Sequence, residues 1–197
     1  MSIPFKDLTG RGLSPAFASD ADLLTALDGI STKWLANELT PMIGMTVANP
    51  SNRDYLLAEN ELKRLQRSRP DTYRACTSCA LSVDIPADLT ADLEAAIANY
   101  FTEVSAFSGK IWYRPGNCMS WHTNRDQSDS RLYLTYVTED DKSFFRYQDP
   151  DTGEIITDLD KTGWQARIFD LGAEKPLWHC VCADTERLSL GVALTAA

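Results

Sequence analysis

Histidine is nearly absent from this chain, with two among 197 residues, His122 and His179. Cysteine is also sparse. Five residues are an odd number for a disulfide framework, and the sequence reads as a protein of a reducing compartment. No apolar run approaches the ~18 residues a membrane span needs, and the opening MSIPFKDLTG lacks the apolar stretch of a secretory signal. A cytoplasmic location with no membrane partner is the expectation. Basic residues are outnumbered, 19 Lys and Arg against 28 Asp and Glu, for a formal net charge of −9. Such a field repels phosphate backbones, so non-specific nucleic-acid binding is not expected. What is present is ordinary for a globular protein, 44% apolar and 24% charged. The length fits one domain over 1–197, with 1–109 mainly helical support and 110–197 a strand-rich core.

Three helices are expected in the first half. Asp20 can cap a helix carrying Leu23, Leu24 and Leu27, which Gly29 interrupts and Ser31 restarts under Trp34, Leu35 and Leu39. Ser51 opens a second, with Tyr55, Ala58, Leu62 and Leu65 on one face and Pro70 as its stop. The third starts near Asp88 or Thr90 and buries Leu89, Leu93, Ile97, Tyr100 and Val104. From Lys110 onward the texture changes to short β-branched and aromatic runs. These are Ile111–Arg114, Arg131–Val137, Ser143–Gln148, Glu154–Asp158, Gln165–Phe169, Trp178–Cys182 and Arg187–Leu194. Between two of them, Asp149-Pro150-Asp151-Thr152-Gly153 has hairpin-turn chemistry. The fold class is α+β, with about seven strands compatible with a jelly roll.

Both histidines fall in the strand-rich half. On the last strand Arg187 and Ser189 share a face, and a guanidinium beside a hydroxyl is a ready clamp for a carboxylate. Other motifs carry less. Cys76 and Cys79 have C-x-x-C spacing but no second pair, and Cys180 and Cys182 alternate along one strand, which does not easily bring them onto one ion. Arg64, Arg67, Arg69 and Arg74 form a basic cluster, read as a solvated helix face. Trp112, Trp121, Trp164 and Trp178 read as core aromatics, with Trp121 and Trp178 each beside a histidine and so candidates to line a pocket.

Taken in order, His122-Thr123-Asn124, His179 and Arg187-x-Ser189 resemble the pattern of the iron(II)- and 2-oxoglutarate-dependent dioxygenases of the jelly-roll, or cupin-like, fold. Tyr113-Arg114-Pro115-Gly116 and the run Arg131–Tyr136 are also similar, and the resemblance covers roughly 110–194, closest to small bacterial and phage members. It implies a double-stranded β-helix in the C-terminal half. It also implies Fe(II) held by His122, His179 and an oxygen ligand, and 2-oxoglutarate bound by Arg187 and Ser189 with Tyr133 or Tyr136. The implied reaction hydroxylates a small molecule or peptide, with release of succinate and CO2. Substrate contacts would come from variable loops, here Arg114, Arg125 and the 41–60 segment.

The departure from that pattern is Asn124, where the family carries a carboxylate. Three readings stay open. Asn124 ligates through its carbonyl oxygen or a water, Asp126 or Asp129 substitutes, or the position is left to chloride as in halogenase members. A non-catalytic jelly roll that binds a small acid or a partner protein is the alternative from another class.

Overall fold

The computed structural model describes residues 15–42, 52–68, 80–101, 103–124, 130–170 and 176–195. Its core is a roll of eight strands: β3 (Glu103–Tyr113), β4 (Asn117–His122), β5 (Ser130–Val137), β6 (Ser143–Gln148), β7 (Ile155–Leu159), β8 (Gly163–Asp170), β9 (His179–Ala183) and β10 (Arg187–Thr195). They divide between two sheets. One has the order β3-β10-β5-β8, extended at the β3 edge by β2 (Leu81–Asp84) and β1 (Thr40–Met42); the other is β4-β9-β6-β7. All pairings are antiparallel. Strands distant in sequence, such as β3 with β10 and β4 with β9, are therefore neighbours, and the chain passes back and forth between the sheets. That winding is the jelly roll, and with its helices the fold is α+β.

Strand alternation sorts the larger sheet into two faces. Leu132, Leu134, Ala166, Ile168, Leu188, Leu190, Val192 and Leu194 point outward and form one core with the helices. That cover is α2 (Ala21–Leu35), following the short α1 (Pro15–Ala18), and α5 (Ala87–Ala98). Asp20 caps α2 by accepting from the Leu23 N–H at 2.8 Å. Gly29 does not interrupt it. The helix runs through it unbroken, and α5 lies so close there that a Cβ at Gly29 would stand 3.1 Å from Leu89 Cδ2. Here the missing side chain serves packing, not a turn.

The second expected helix is broken. α3 (Arg53–Leu57) ends where Ala58 turns extended, and α4 (Glu59–Ser68) follows. The break turns Leu57 inward beside Leu62 and Leu65 and leaves Tyr55 exposed. These leucines cover the outer face of the smaller sheet against Cys118, Trp121, Trp178, Cys180 and Cys182. Both tryptophans beside the histidines thus face out of the roll, and Trp121 Nε1–H donates to the Leu57 carbonyl at 3.2 Å. Neither lines the interior. Cys118, Cys180 and Cys182 are buried on that same face, whereas Cys76 and Cys79 lie outside the described residues.

The third helix stops at Ala98, and Val104 belongs to β3, so the sheet begins before residue 110. The 149–153 turn forms as its residues dictate. Gly153 takes φ +75° and donates to the Asp149 carbonyl at 2.8 Å. No helix of the described residues is long and apolar enough to cross a membrane.

Candidate active site

The roll's interior has a parity problem that one extra residue solves. Met119 of β4 pairs with Val181 of β9, and both face inward. Two residues back on β9 is His179, facing inward as alternation requires. On β4 the pairing partner of His179 is His122, three residues beyond Met119, so a β-bulge sits between them. Without that bulge His122 would point to the outer face; with it, the two imidazoles meet at 4.1 Å between ring centroids.

Each ring is fixed by the backbone two residues before it. His122 Nδ1 lies 2.7 Å from the carbonyl of Ser120, inside the bulge, and His179 Nδ1 lies 3.1 Å from that of Leu177. A carbonyl only accepts, so Nδ1 carries the hydrogen in both rings and each Nε2 keeps its lone pair. Burial pushes the pKa of His122 down to about 4 and that of His179 well below its ordinary value, the second helped by the neighbouring ring. Both are neutral at pH 7. Phe145 stacks on His179 at 5.1 Å and on Phe169 at 5.2 Å, which excludes water from one side of the pair.

Asn124 closes the group. Its Nδ2 donates to Tyr133 Oη at 2.8 Å and lies 3.5 Å from His179 Nε2. The donor set of two neutral imidazoles with unprotonated Nε2 atoms and a carboxamide fits a divalent transition metal. Turning the carboxamide by 180° presents its oxygen instead of its NH2 to the same atoms, and Tyr133 Oη can then donate. Among the described residues no cluster of three or more His, Cys, Asp or Glu stands ready for a metal. Asp126, Asp129 and Arg125 lie outside the described residues.

At the other end of the roll Arg187 is buried, but it is not a free clamp. Its Nε donates to Asp160 Oδ2 at 2.8 Å, its Nη2 to Thr135 Oγ1 at 3.4 Å, and its guanidinium packs 5.1 Å from the Tyr113 ring. Only Nη1 is buried without a partner. Ser189 is half-buried, on the same inward parity, beside Thr135 in the register. Tyr133 faces inward and reaches Asn124, while Tyr136 has the opposite parity. It packs edge-on against Trp34 at 5.9 Å and Trp164 at 5.4 Å under the helices, so Tyr136 does not contribute to the site. Arg114 is exposed over Trp112 at the end of the roll away from the histidines. Of the basic cluster, Arg64 is held by Glu61 through two 2.6 Å bonds, and Arg69 and Arg74 lie outside the described residues.

Three interior residues escaped the sequence reading: Arg131, Asp160 and Arg167. Asp160 Oδ1 lies 2.8 Å from Arg167 Nη2, its Oδ2 also accepts from Ser143, and Arg167 Nε reaches Asp158 at 2.8 Å. Burial alone would raise the Asp160 carboxyl. The guanidiniums of Arg187 and Arg167, with the Ser143 hydroxyl, outweigh burial and hold it below the usual range. A signal did exist in the sequence. Arg131 shares parity with Tyr133 and Thr135, and Arg167 with Gln165, opposite the leucines and isoleucine of the same strands.

No family model matches the chain, and no curated protein matches it in sequence. Among solved structures it is similar to a prolyl-4-hydroxylase of Pseudomonas putida, at 16% identity over 98% of this chain and 97% of that one, with a TM-score of 0.46. It is also similar to a prolyl hydroxylase in complex with a hypoxia inducible factor peptide fragment from Trichoplax adhaerens (8% identity, 92% and 93% covered, TM-score 0.42). A cupin domain from Bordetella pertussis is a third (17% identity, 48% and 84% covered, TM-score 0.33). These likenesses are remote, at 8% to 17% identity.

Proposed function

We propose that the chain is an Fe(II)- and 2-oxoglutarate-dependent oxygenase that hydroxylates a small molecule or peptide and releases succinate and CO2. The observation that carries this reading is the opposed histidine pair, with each Nδ1 locked onto a backbone carbonyl and both Nε2 atoms left unprotonated. Two histidines that served only to fill the roll would not need matching tautomers on facing strands. His122 and His179 hold the metal, with the Asn124 carboxamide or a water as third ligand. Bound there, the iron supplies the oxygen activation that no side chain provides. The chain's own residues orient and shield: Phe145 and Phe169 keep one flank dry, and Tyr133 fixes Asn124. Arg187 Nη1, buried without a partner, and Ser189 on the same interior face would take the distal carboxylate of 2-oxoglutarate. The prolyl hydroxylases among the similar structures accord with the same class.

Succinate formation tests the proposal directly. Protein loaded anaerobically with Fe(II), then given 2-oxoglutarate, ascorbate and air, is expected to release succinate even without a primary substrate, and the His122→Ala protein is not. Absence of both succinate and 2-oxoglutarate binding in the iron-loaded wild type leaves only a non-catalytic roll.

Asn124→Asp separates the readings of the third ligand. A carboxylate adds a negative charge about 2.1 Å from a dication in a partly desolvated site, so Fe(II) affinity is expected to rise. If Asp126 or Asp129 already ligates, the affinity stays level or falls. In a chloride site, chloride strengthens 2-oxoglutarate binding in the wild type and not in Asn124→Asp. Fe(II) titrations of both proteins, with and without chloride, distinguish the three.

A further inference from the structure

Among the described residues the roll buries three arginines, and they differ in what they face. Arg167 and Arg187 lie against two carboxylates, Asp158 and Asp160, so their charges are matched within the fold. Arg131 has no ion pair among the described residues. It is 6% exposed, and its Nε and Nη2 are both buried without a hydrogen-bond partner. An unmatched buried cation is costly, and a buried polar atom left without a partner asks for an explanation.

The identity of the two orphaned atoms is informative. Nε and Nη2 are neighbours on one edge of the guanidinium, and that edge offers two parallel N–H bonds, the shape a carboxylate accepts with both oxygens. Arg187 spends the same edge on Asp160 and Thr135 and keeps only Nη1, a single-point contact. Arg131 keeps the whole edge. Its place is also favourable. It stands at the start of β5, two residues before Tyr133, with its guanidinium 5.8 Å from the Tyr133 ring whose hydroxyl bonds Asn124. It is thus one side chain away from the histidine pair, at the end of β5 opposite Val137, the register partner of Arg187.

We propose that Arg131 is a carboxylate-binding residue of the site, taking a small acid through its Nε–Nη2 edge. The inference rests on the proposed function only for the source of that carboxylate. It is either the distal group of 2-oxoglutarate or an acid group on the primary substrate, and the two give different results in the same variant.

The test uses Arg131→Gln and Arg131→Met in the full chain. Without ligands, Arg131→Met is expected to be at least as thermally stable as wild type, because it removes an unmatched charge and keeps the stem; an arginine with a structural role predicts a loss. Binding of 2-oxoglutarate to the Fe(II) protein is then measured anaerobically, beside 5-methyl-2-oxohexanoate, which replaces the distal carboxylate by an isopropyl group. A loss of about tenfold or more for 2-oxoglutarate in Arg131→Gln, with 5-methyl-2-oxohexanoate unchanged, assigns the residue to the co-substrate. If 2-oxoglutarate binding is retained, sodium acetate is expected to raise the Tm of the 2-oxoglutarate-saturated wild type above that in sodium chloride at equal ionic strength. Loss of that rise in Arg131→Gln assigns the residue to the primary substrate. A wild type that binds no 2-oxo acid but responds to acetate through Arg131 keeps this site and removes the proposed activity. Arg131→Gln that matches wild type in every ligand response, or Arg131→Met that is less stable with those responses intact, overturns the inference.

Discussion

Neither His122→Ala nor His179→Ala is expected to bind Fe(II) stoichiometrically, while both keep the fold. The two imidazoles are the only side-chain nitrogens of the described interior with an unprotonated lone pair, and each alone leaves one nitrogen and a weak carboxamide. Removing a group that merely supports a metal ligand typically costs about 10–100-fold in affinity, and removing the ligand itself costs more. The fold survives because the sheets are closed by the leucine-rich outer face and not by these rings. Alanine leaves a small hole beside Phe145 and frees the Ser120 or Leu177 carbonyl, a loss of roughly 1–3 kcal/mol. Metal analysis after anaerobic loading, read beside circular dichroism and thermal melts, checks both parts. Full iron occupancy in either variant of a folded protein would falsify the metal assignment.

Much of this site was legible in the sequence because alternation is a rigid rule. Arg187 and Ser189 share the interior face as i and i+2 must, and His122, Asn124 and His179 meet at one end of the roll while Arg187 lies at the other. The failures have physical causes. Tyr136 was grouped with Tyr133, yet three residues apart on a strand is opposite faces, and the same rule that placed Ser189 sends Tyr136 under Trp34. β4 was missed because Asn117, Cys118, Met119 and Ser120 carry little strand preference and follow a turn-like Pro115-Gly116. Its bulge, which sets the direction of His122, has no residue signature at all. Gly29 misled in the other direction. Propensity reads it as a break, whereas the proximity of Leu89 across the helix pair is a tertiary fact. The counter-ion of Arg187 was also invisible. Asp160 lies 27 residues away on the segment between β7 and β8, and only the winding of the roll brings it beneath β10.

That counter-ion carries the largest expected effect on stability. Asp160 is fully buried and receives Arg187, Arg167 and Ser143 at once. Asp160→Asn keeps the volume but removes the one charge that, among the described residues, two buried guanidiniums share, and they then repel each other. Breaking a buried pair by removing one partner typically costs about 3–5 kcal/mol, and here one partner serves two ions. The pH dependence follows from its sign. The folded carboxyl titrates below the ordinary 3.8 of an unfolded aspartate, so between those two points the unfolded chain binds more protons. The stabilisation is therefore fully present above about pH 5 and is lost as pH falls through the folded pKa. The gap between wild type and Asp160→Asn should narrow only in that acid window. Between pH 6.5 and about 4 both proteins should lose stability in parallel, because the buried histidines resist the proton that the unfolded chain accepts. Pairing Asp160→Asn with Arg187→Met is expected to recover a large part of the loss, since replacing both ends of a buried pair by groups that need no counter-ion is far less costly than orphaning one. Urea unfolding of the wild type, the single variant and the double variant at pH 7, 5 and 3.5 measures all of this. An Asp160→Asn protein within 1 kcal/mol of wild type at pH 7 would show that the arginines find other partners and that this network does not hold that end of the roll together.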